Sequence, residues 1–347
     1  MSLVDAPTDC KSKLYNSKLG KVDFYNIFCK IFALASEIQL SSDTRGVSGS
    51  SKSSSQNNNK LNSDSTKKNS FQLVEFHSLE DLKYKMAFRD KRAVITGGAS
   101  GIGLQVCKQL LANEASKIAI VDIQENPEDI SKLRAAHPTQ TILLIKMDVT
   151  NRQGIADTYE ELKKTFGTID IVVNVAGIFN DQDVQRTILV NLGGIINSTL
   201  AAVKVMSTEN GGNGGIIANM SSVVGLDPMF LLPVYAATKA GIIHFTRCLG
   251  SDTYLIRTGI KFITICPGAT ITDMFTNFTE KMLFPDMGDE SYRVLDRLNK
   301  QSAADVSRCI LTALEKEKNG EVYIIEGKRL FPTEMKSYWR GIEKSSE

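Results

Sequence analysis

Tyr235 and Lys239 stand four residues apart in Y-A-A-T-K, at the start of a segment with helical periodicity. On a helix such a pair shares one face, a turn apart. An ammonium beside a phenol lowers its pKa from an ordinary value of about 10. A phenolate stabilised in this way can take the proton of an alcohol near neutral to mildly alkaline pH. Taken alone, a Tyr and a Lys at this spacing more often decorate a helix surface. Ser222 closes the strand-like run GIIANMSS thirteen residues before Tyr235. A hydroxyl there can hold a substrate oxygen while Tyr235 handles its proton.

A second set of residues has the spacing of a phosphate cradle. T-G-G-A-S-G-I-G, residues 96–103, follows the run RAVIT and leads into a helical pattern. Gly101 lets the backbone approach a pyrophosphate, Gly103 lets the helix pack close to the strand, and the helix N-terminus supplies amides and positive dipole. Gly97, Ser100 and Ile102 complete the turn. The spacing is G-x-x-x-G-x-G and departs from the generic G-x-G-x-x-G fingerprint. Asp122 ends the next run, KIAIVD, nineteen residues past Gly103. An acid there can hydrogen-bond an adenosine ribose diol and repels a ribose phosphate. Its neighbours Ile123 and Ser100 bring no positive charge, so NAD is expected over NADP; the alternative for Asp122 is a capping or turn role. Asp148 and Val149 in MDVT, and Asn174, Ala176 and Gly177 in NVAG, end the third and fourth runs.

Taken as an ordered set, T-G-G-A-S-G-I-G, N-V-A-G, the serine, Y-x-x-x-K and P-G resemble the short-chain dehydrogenase/reductase family over roughly residues 88–330. The resemblance implies that Tyr235 is the general base, that Lys239 lowers its pKa and holds the nicotinamide ribose, and that Ser222 orients the substrate oxygen. It also implies that Asn191, in V-N-L-G-G, positions a proton-relay water, and that Pro267, Gly268 and Thr272 fix the nicotinamide carboxamide. Ser221 competes with Ser222, but the thirteen-residue offset favours Ser222 and leaves Ser221 to support the turn. The runs VDIQENPEDISKLRAAHP, QRTILVN, GGIIANMSSVVG and PVYAATKA are similar to insect alcohol dehydrogenases and NAD-dependent 15-hydroxyprostaglandin dehydrogenases. Many of those proteins carry a Gln three or four residues before the catalytic Tyr. This chain has Leu231 and Leu232, which argues against a prostaglandin substrate.

These residues need elements to bring them together. Short β-branched runs at 92–96, 117–122, 141–148, 169–177, 215–222, 261–268 and 321–327 alternate with helical patterns such as Ile102–Asn113, Ile155–Phe166 and Val234–Thr253. Asn126-Pro127-Glu128-Asp129 reads as a helix start. Near-continuous apolar strands are those covered on both faces. The pattern predicts an α/β domain, a single Rossmann-type doubly wound parallel sheet over residues 87–347. Ligands of such sheets bind at the carboxyl ends of the strands, where the candidate residues lie.

Residues 1–86 are expected to form an extension. Phe24, Ile27, Ile31, Leu34 and Ile38 recur at helical steps. In Ser41–Ser70, 20 of 30 residues are Ser, Asn or Lys, a composition expected to be disordered. The N-terminal segment lacks the pattern of a secretory signal, and its acids and late first Arg, Arg45, disfavour a mitochondrial transit peptide.

Composition narrows the function classes. A net charge of +2 implies no nucleic-acid partner, and no apolar run reaches the length of an integral membrane segment. Six scattered Cys and three isolated His point to free thiols in a reducing, cytoplasmic setting and to no metal site. A G-x-S-x-G hydrolase elbow is missing, because Gly98-Ala99-Ser100-Gly101-Ile102 fails at its last position. The expected function is NAD-dependent oxidation of an alcohol, with carbonyl reduction or an idle NAD-binding scaffold as alternatives. Leu226–Leu232, together with Met274, Phe275, Phe278, Met282, Leu283 and Phe284, is expected to line an apolar substrate pocket, the alternative being packing within the domain or against a subunit. By family analogy a homodimer is expected.

Overall fold

The β-branched runs become the strands of one sheet. The computed structural model describes residues 79–335. The periodic segment around Phe24–Ile38, the Ser41–Ser70 stretch and the chain beyond residue 335 lie outside the described residues. Strands β1 (Arg92–Thr96), β2 (Lys117–Asp122), β3 (Thr141–Lys146), β4 (Ile171–Asn174), β5 (Gly215–Met220) and β6 (Ile260–Pro267) pair in parallel. After the two-residue strands β7 (Thr270–Ile271) and β8 (Gln301–Ser302), which pair with each other, come β9 (Val322–Glu326) and β10 (Arg329–Pro332). The main sheet runs β10-β9-β6-β5-β4-β1-β2-β3. The order departs in both directions from β1, which is the doubly wound arrangement expected.

The strand at the far edge was not legible in the apolar pattern. β10 returns antiparallel on β9, with Arg329 opposite Glu326. Gly327 and Lys328 form the two-residue turn with φ of +55° and +65°, the pair of left-handed residues a tight hairpin needs. Pro332 ends that strand and blunts the sheet edge.

The helices cover both faces. They are α1 (Leu79–Phe88), α2 (Gly101–Ala112), α3 (Pro127–Ala136), α4 (Arg152–Phe166) and α5 (Val184–Met206). After them come α6 (Pro233–Leu249), α7 (Asp252–Thr258), α8 (Gly288–Arg297) and α9 (Ala303–Lys316). α3 begins as its sequence predicts, with the Asn126 side chain accepting from Asp129 N and Pro127 in the first turn. Buried Ile95, Ile120, Val173 and Ile263 meet α2 and α9 on one face, while Val94, Val121, Val172 and Ile217 meet α4 and α5 on the other.

Two boundaries differ from the periodicity. The stretch Val234–Thr253 is two helices, because the chain turns at Gly250, where a Cβ would stand 2.5 Å from Gly320 Cα. α1 crosses the expected boundary at residue 86. Phe88 joins the core beside α2, and Tyr84 Oη lies 2.7 Å from Thr312 Oγ1 on α9. α5 is apolar and long enough to cross a membrane, yet half of its apolar window is buried in the fold. Its Ser198 and Thr199 hydroxyls bond Asn174 and Asn219 beneath the sheet.

Candidate active site

The carboxyl ends of the central strands open into a cavity of about 710 Å³, lined from Gly97 at one end to Tyr235 and Leu295 at the other. The turn after β1 is dictated by backbone proximity. Gly97 has φ +68°, and a Cβ on it would meet Ala176 N at 2.6 Å. A Cβ on Gly103 would stand 2.0 Å from the Gly97 carbonyl oxygen, so Gly103 lies beneath the turn and lets it close. Ser100 precedes α2 without a side-chain cap, and the first turn of α2 holds no acid. That helix start can therefore receive an anion through its amides. Ser100, Gly101 and Ile102 line the cavity there.

Asp122 lies at the same end. Its carboxylate accepts from Ala99 N and Gln124 N, both at 3.0 Å, and lines the cavity with its remaining lone pairs. It performs the turn role that the sequence left as an alternative, and the position at the strand end suits a ribose diol as well. Asp148 accepts from Thr150 N and Oγ1 and lies 4.0 Å from Arg186. Val149, Ala176 and Gly177 line the cavity beside it. A glycine turn at an uncapped helix start, with an acid at the second strand end, fits an adenine dinucleotide.

Asn174 is placed differently from its expected role. It is fully buried, its Oδ1 accepting from Thr96 and Ser198 and its Nδ2 donating to Thr199 and Asn219. It fastens β4 to α5 behind the cavity wall. Asn191 also sits behind that wall, in one turn of π-helix spanning Leu189–Gly194 within α5. Its side chain brackets residue 178, accepting from Ile178 N at 2.8 Å and donating to Ile178 O at 2.9 Å and Thr238 Oγ1 at 3.3 Å. An irregular turn of this kind redirects one side chain, and here it directs Asn191 toward Gly177.

At the other end Ser222, Tyr235, Lys239, Pro267 and Gly268 line one wall, and Thr272 lines the cavity against the glycine turn, 3.5 Å from where a Cβ on Gly101 would stand. Ser222 Oγ lies 3.4 Å from Pro267 O. Ser221 turns inward and donates to Lys239 O at 2.7 Å, fastening β5 to α6. Of the two serines, Ser222 lines the cavity and its neighbour supports the turn. Lys239 Nζ donates to Met220 O at 3.1 Å and lies 5.4 Å from the Tyr235 ring centroid. The shared helix face is present, but the electrostatics differ from the expectation. Burial pushes the Lys239 ammonium down to about 8. Burial also raises the Tyr235 phenol above its ordinary value, and the charge of Asp181 adds to the rise. At Tyr235, loss of water is the largest cause.

Asp181 is one of two residues at the site that sequence reasoning missed. It is fully buried, 54 positions before Tyr235, and its carboxylate accepts from Val234 N and Tyr235 N, both at 2.9 Å. Glu326 on β9, also missed, lines the cavity beside Gly268, and burial raises its carboxyl.

The apolar loops converge in part as the sequence expects: Met229, Leu232, Met274, Phe275 and Phe278 line the cavity, whereas Leu226 packs on another cluster, Phe230 and Phe284 are exposed, and Leu283 does not line it. Phe179, Leu231, Leu232, Phe278 and Met282 form one buried cluster, with Met229, Tyr235 and Met274 packed on it. The Phe179 ring meets Tyr235 edge-on at 5.8 Å and Phe278 at 4.8 Å. Met274 Sδ lies 4.0 Å from the Tyr235 hydroxyl. Met229, Leu232, Met274 and Phe278 also line the cavity, so this cluster is the wall of its catalytic end.

Comparison with known proteins agrees with this geometry. The family model described as short chain dehydrogenase matches residues 91–283. Alcohol dehydrogenase 2 of Ceratitis cosyra is 33% identical over 258 residues, covering 74% of this chain and 98% of the relative. The crystal structure of levodione reductase superposes with a TM-score of 0.60 at 24% identity, covering 69% of this chain and 97% of that one. A short chain dehydrogenase from Burkholderia cenocepacia, solved in complex with NADP, has a TM-score of 0.55 and 26% identity, covering 70% and 98%.

Proposed function

The chain belongs to the short-chain dehydrogenase family, and from that premise we propose that it oxidises an apolar primary or secondary alcohol to its aldehyde or ketone with NAD. The observation that carries this reading is the cavity itself, which joins an anion-accepting glycine turn to a wall bearing Ser222, Tyr235 and Lys239. Ser222 Oγ holds the alcohol oxygen, and Tyr235 Oη takes its proton. Lys239 stands under the Tyr235 ring and holds the nicotinamide ribose. A bound NAD supplies the hydride acceptor for the carbinol hydrogen and a positive ring that favours the phenolate. Asn191 fixes Ile178, and through it the cavity wall. Gly97, Ser100, Gly101 and Ile102 receive the pyrophosphate, Asp122 the ribose diol, Asp148 and Val149 the adenine edge, and Pro267, Gly268 and Thr272 the carboxamide.

NAD is preferred over NADP because the Asp122 carboxylate occupies the place where a ribose phosphate would bring a second negative charge. Arg186, the cation lining the cavity nearby, is turned toward Asp148. The phenyl rings and thioethers around Tyr235 select an apolar substrate. Turnover of an alcohol panel with NAD tests this, and preference for sugar-like polyols overturns the substrate class.

The reverse direction is a second reading, because the same residues serve it: a Tyr235 phenol that keeps its proton at neutral pH can donate it to a carbonyl. Comparing oxidation and reduction rates at neutral pH separates the two.

We also propose a homodimer built on α5 and α6, since Ile188, Leu189 and Leu200 of α5 are exposed apolar residues. Light scattering at micromolar concentration tests it, and a monomer refutes it. A cytoplasmic location is consistent with free Cys107, Cys248, Cys266 and Cys309. Residues 1–86 are proposed to be an extension outside the catalytic unit, apart from the part of α1 that packs on it. Limited proteolysis between Arg45 and Lys68 should leave an active core.

A further inference from the structure

We propose that Asp181 is the positioning residue of the site: its carboxylate caps α6 from a distant segment and stands as a fixed negative neighbour of Tyr235. This rests on the reading of Tyr235 as the proton-handling group.

The start of α6 cannot cap itself. The residue before it is Leu232, whose side chain carries no acceptor, and Pro233 in the first turn has no N–H. The next two amides, Val234 and Tyr235, would be orphaned in a buried wall. Asp181 satisfies both, one carboxylate oxygen to each. The fork fixes the backbone of Tyr235 itself, so the place of the phenol follows from it. In this fork, with one oxygen to each amide, an Asn would turn its NH2 group, a donor, toward one of the two N–H groups.

The charge is more than a cap requires. Asp181 is fully buried, and no salt bridge reaches it among the described residues. From α6 the Tyr235 phenol feels its charge, while Lys239, a turn further on, is turned to Met220 O. From the loop packed against it comes Lys281, whose ammonium is turned to Thr276 O at 2.6 Å. Within its own segment Asp183 accepts from Arg186 N, and Arg186 points to Asp148. Two amides and the helix dipole therefore hold the anion. Burial raises the Asp181 carboxyl while those amides lower it, and its charge raises the phenol.

The same segment grips the substrate loop. Asp181 N donates to Lys281 O at 2.8 Å, and Gln182 Nε2 donates to Leu283 O at 3.0 Å. One short stretch thus fixes both the proton-handling residue and the apolar wall opposite it.

The test is an ultraviolet difference titration of the Tyr235 phenol in the full chain, with Tyr235→Phe as the blank and NADH binding as the check on folding. In wild type the phenol should titrate above ordinary tyrosine. Asp181→Asn should lower its midpoint by about one pH unit, and Asp181→Glu, which keeps the charge, should leave it near wild type. Asp181→Ser serves as the neutral variant if the amide does not fold. A wild-type phenol at or below the ordinary value overturns the proposal. So does an unmoved midpoint in a folded neutral variant, or the same drop in Asp181→Glu. The titration needs no substrate. Absence of alcohol turnover with the expected shifts therefore sinks the dehydrogenase reading and leaves the role of Asp181 intact.

Discussion

The two ends of the cavity are built by different physics. The cofactor end is made of backbone: Gly97 against Ala176, Gly103 against the Gly97 carbonyl, and the open amides of α2. Each contact admits one residue type, because a Cβ would collide with main chain that has nowhere to go. The substrate end is made of side chains: Phe179, Leu232, Met274 and Phe278 fill space around Tyr235. Many apolar combinations fill the same volume, since cores accept volume-conserving exchanges. A cradle for a common cofactor can be rigid in sequence, while the pocket that chooses the alcohol is free to vary.

That contrast makes Gly103→Ala the most damaging single change expected. A methyl at 2.0 Å from the Gly97 oxygen must push α2 off the turn. Cofactor binding should be lost, with destabilisation of about 1–3 kcal/mol or more. Calorimetry and NADH titration check this, and an Ala variant that binds normally would break the comparison.

Lys239→Met probes the seam between the two ends. Lys239 is buried, with its pKa down from 10.5 to about 8. The unfolded chain therefore binds more protons between those values, so the folded state bears the full cost of the charged lysine below about pH 8. The cost is relieved as pH rises toward 10.5. The methionine variant should be inactive yet more stable at neutral pH, by up to about 3 kcal/mol, with the gain shrinking toward pH 10. Melting curves across that range measure it, and a gain that grows with pH contradicts the sign.

Asp122→Ser should sharpen the view of the cofactor end. Removing one carboxylate beside the ribose position should shift the NAD-to-NADP affinity ratio by roughly 100-fold toward NADP. An unchanged ratio would leave Asp122 with its turn contacts to Ala99 and Gln124 alone.

Phe179→Leu should have the smallest effect, in keeping with the tolerance of the substrate end. Cofactor affinity should not change, stability should fall by less than about 1.5 kcal/mol, and the preference among alcohols should shift by about 10-fold. Collapse of cofactor binding in this variant would show that the two ends are not separable.

What could be read in the sequence follows the same division. The glycine turn, Asp122 and the Tyr235–Lys239 pair were legible because backbone geometry and helix periodicity fix their spacing. The doubly wound parallel sheet followed from apolar runs alternating with helical patterns, while the strand order is seen only in the structure. Asp181 was not legible, because a cap supplied from 54 positions away leaves no local signal at α6. Asn174 and Asn191 carried the right motifs, yet their amides are spent on partners behind the wall, which only tertiary contacts show. The desolvation of the Tyr235 phenol was not legible for a related reason. Helix spacing places the ammonium, but the extent of desolvation depends on Phe179 and Met274, which arrive from other loops.

The most direct measurement is NADH formation by the full chain with apolar alcohols, set beside Tyr235→Phe and with cofactor binding measured for both. Catalysis by wild type, falling by about 10²- to 10⁴-fold in the variant while NAD binding persists, is the predicted result. Equal turnover by the two proteins would contradict the assignment of Tyr235 as the proton-handling residue.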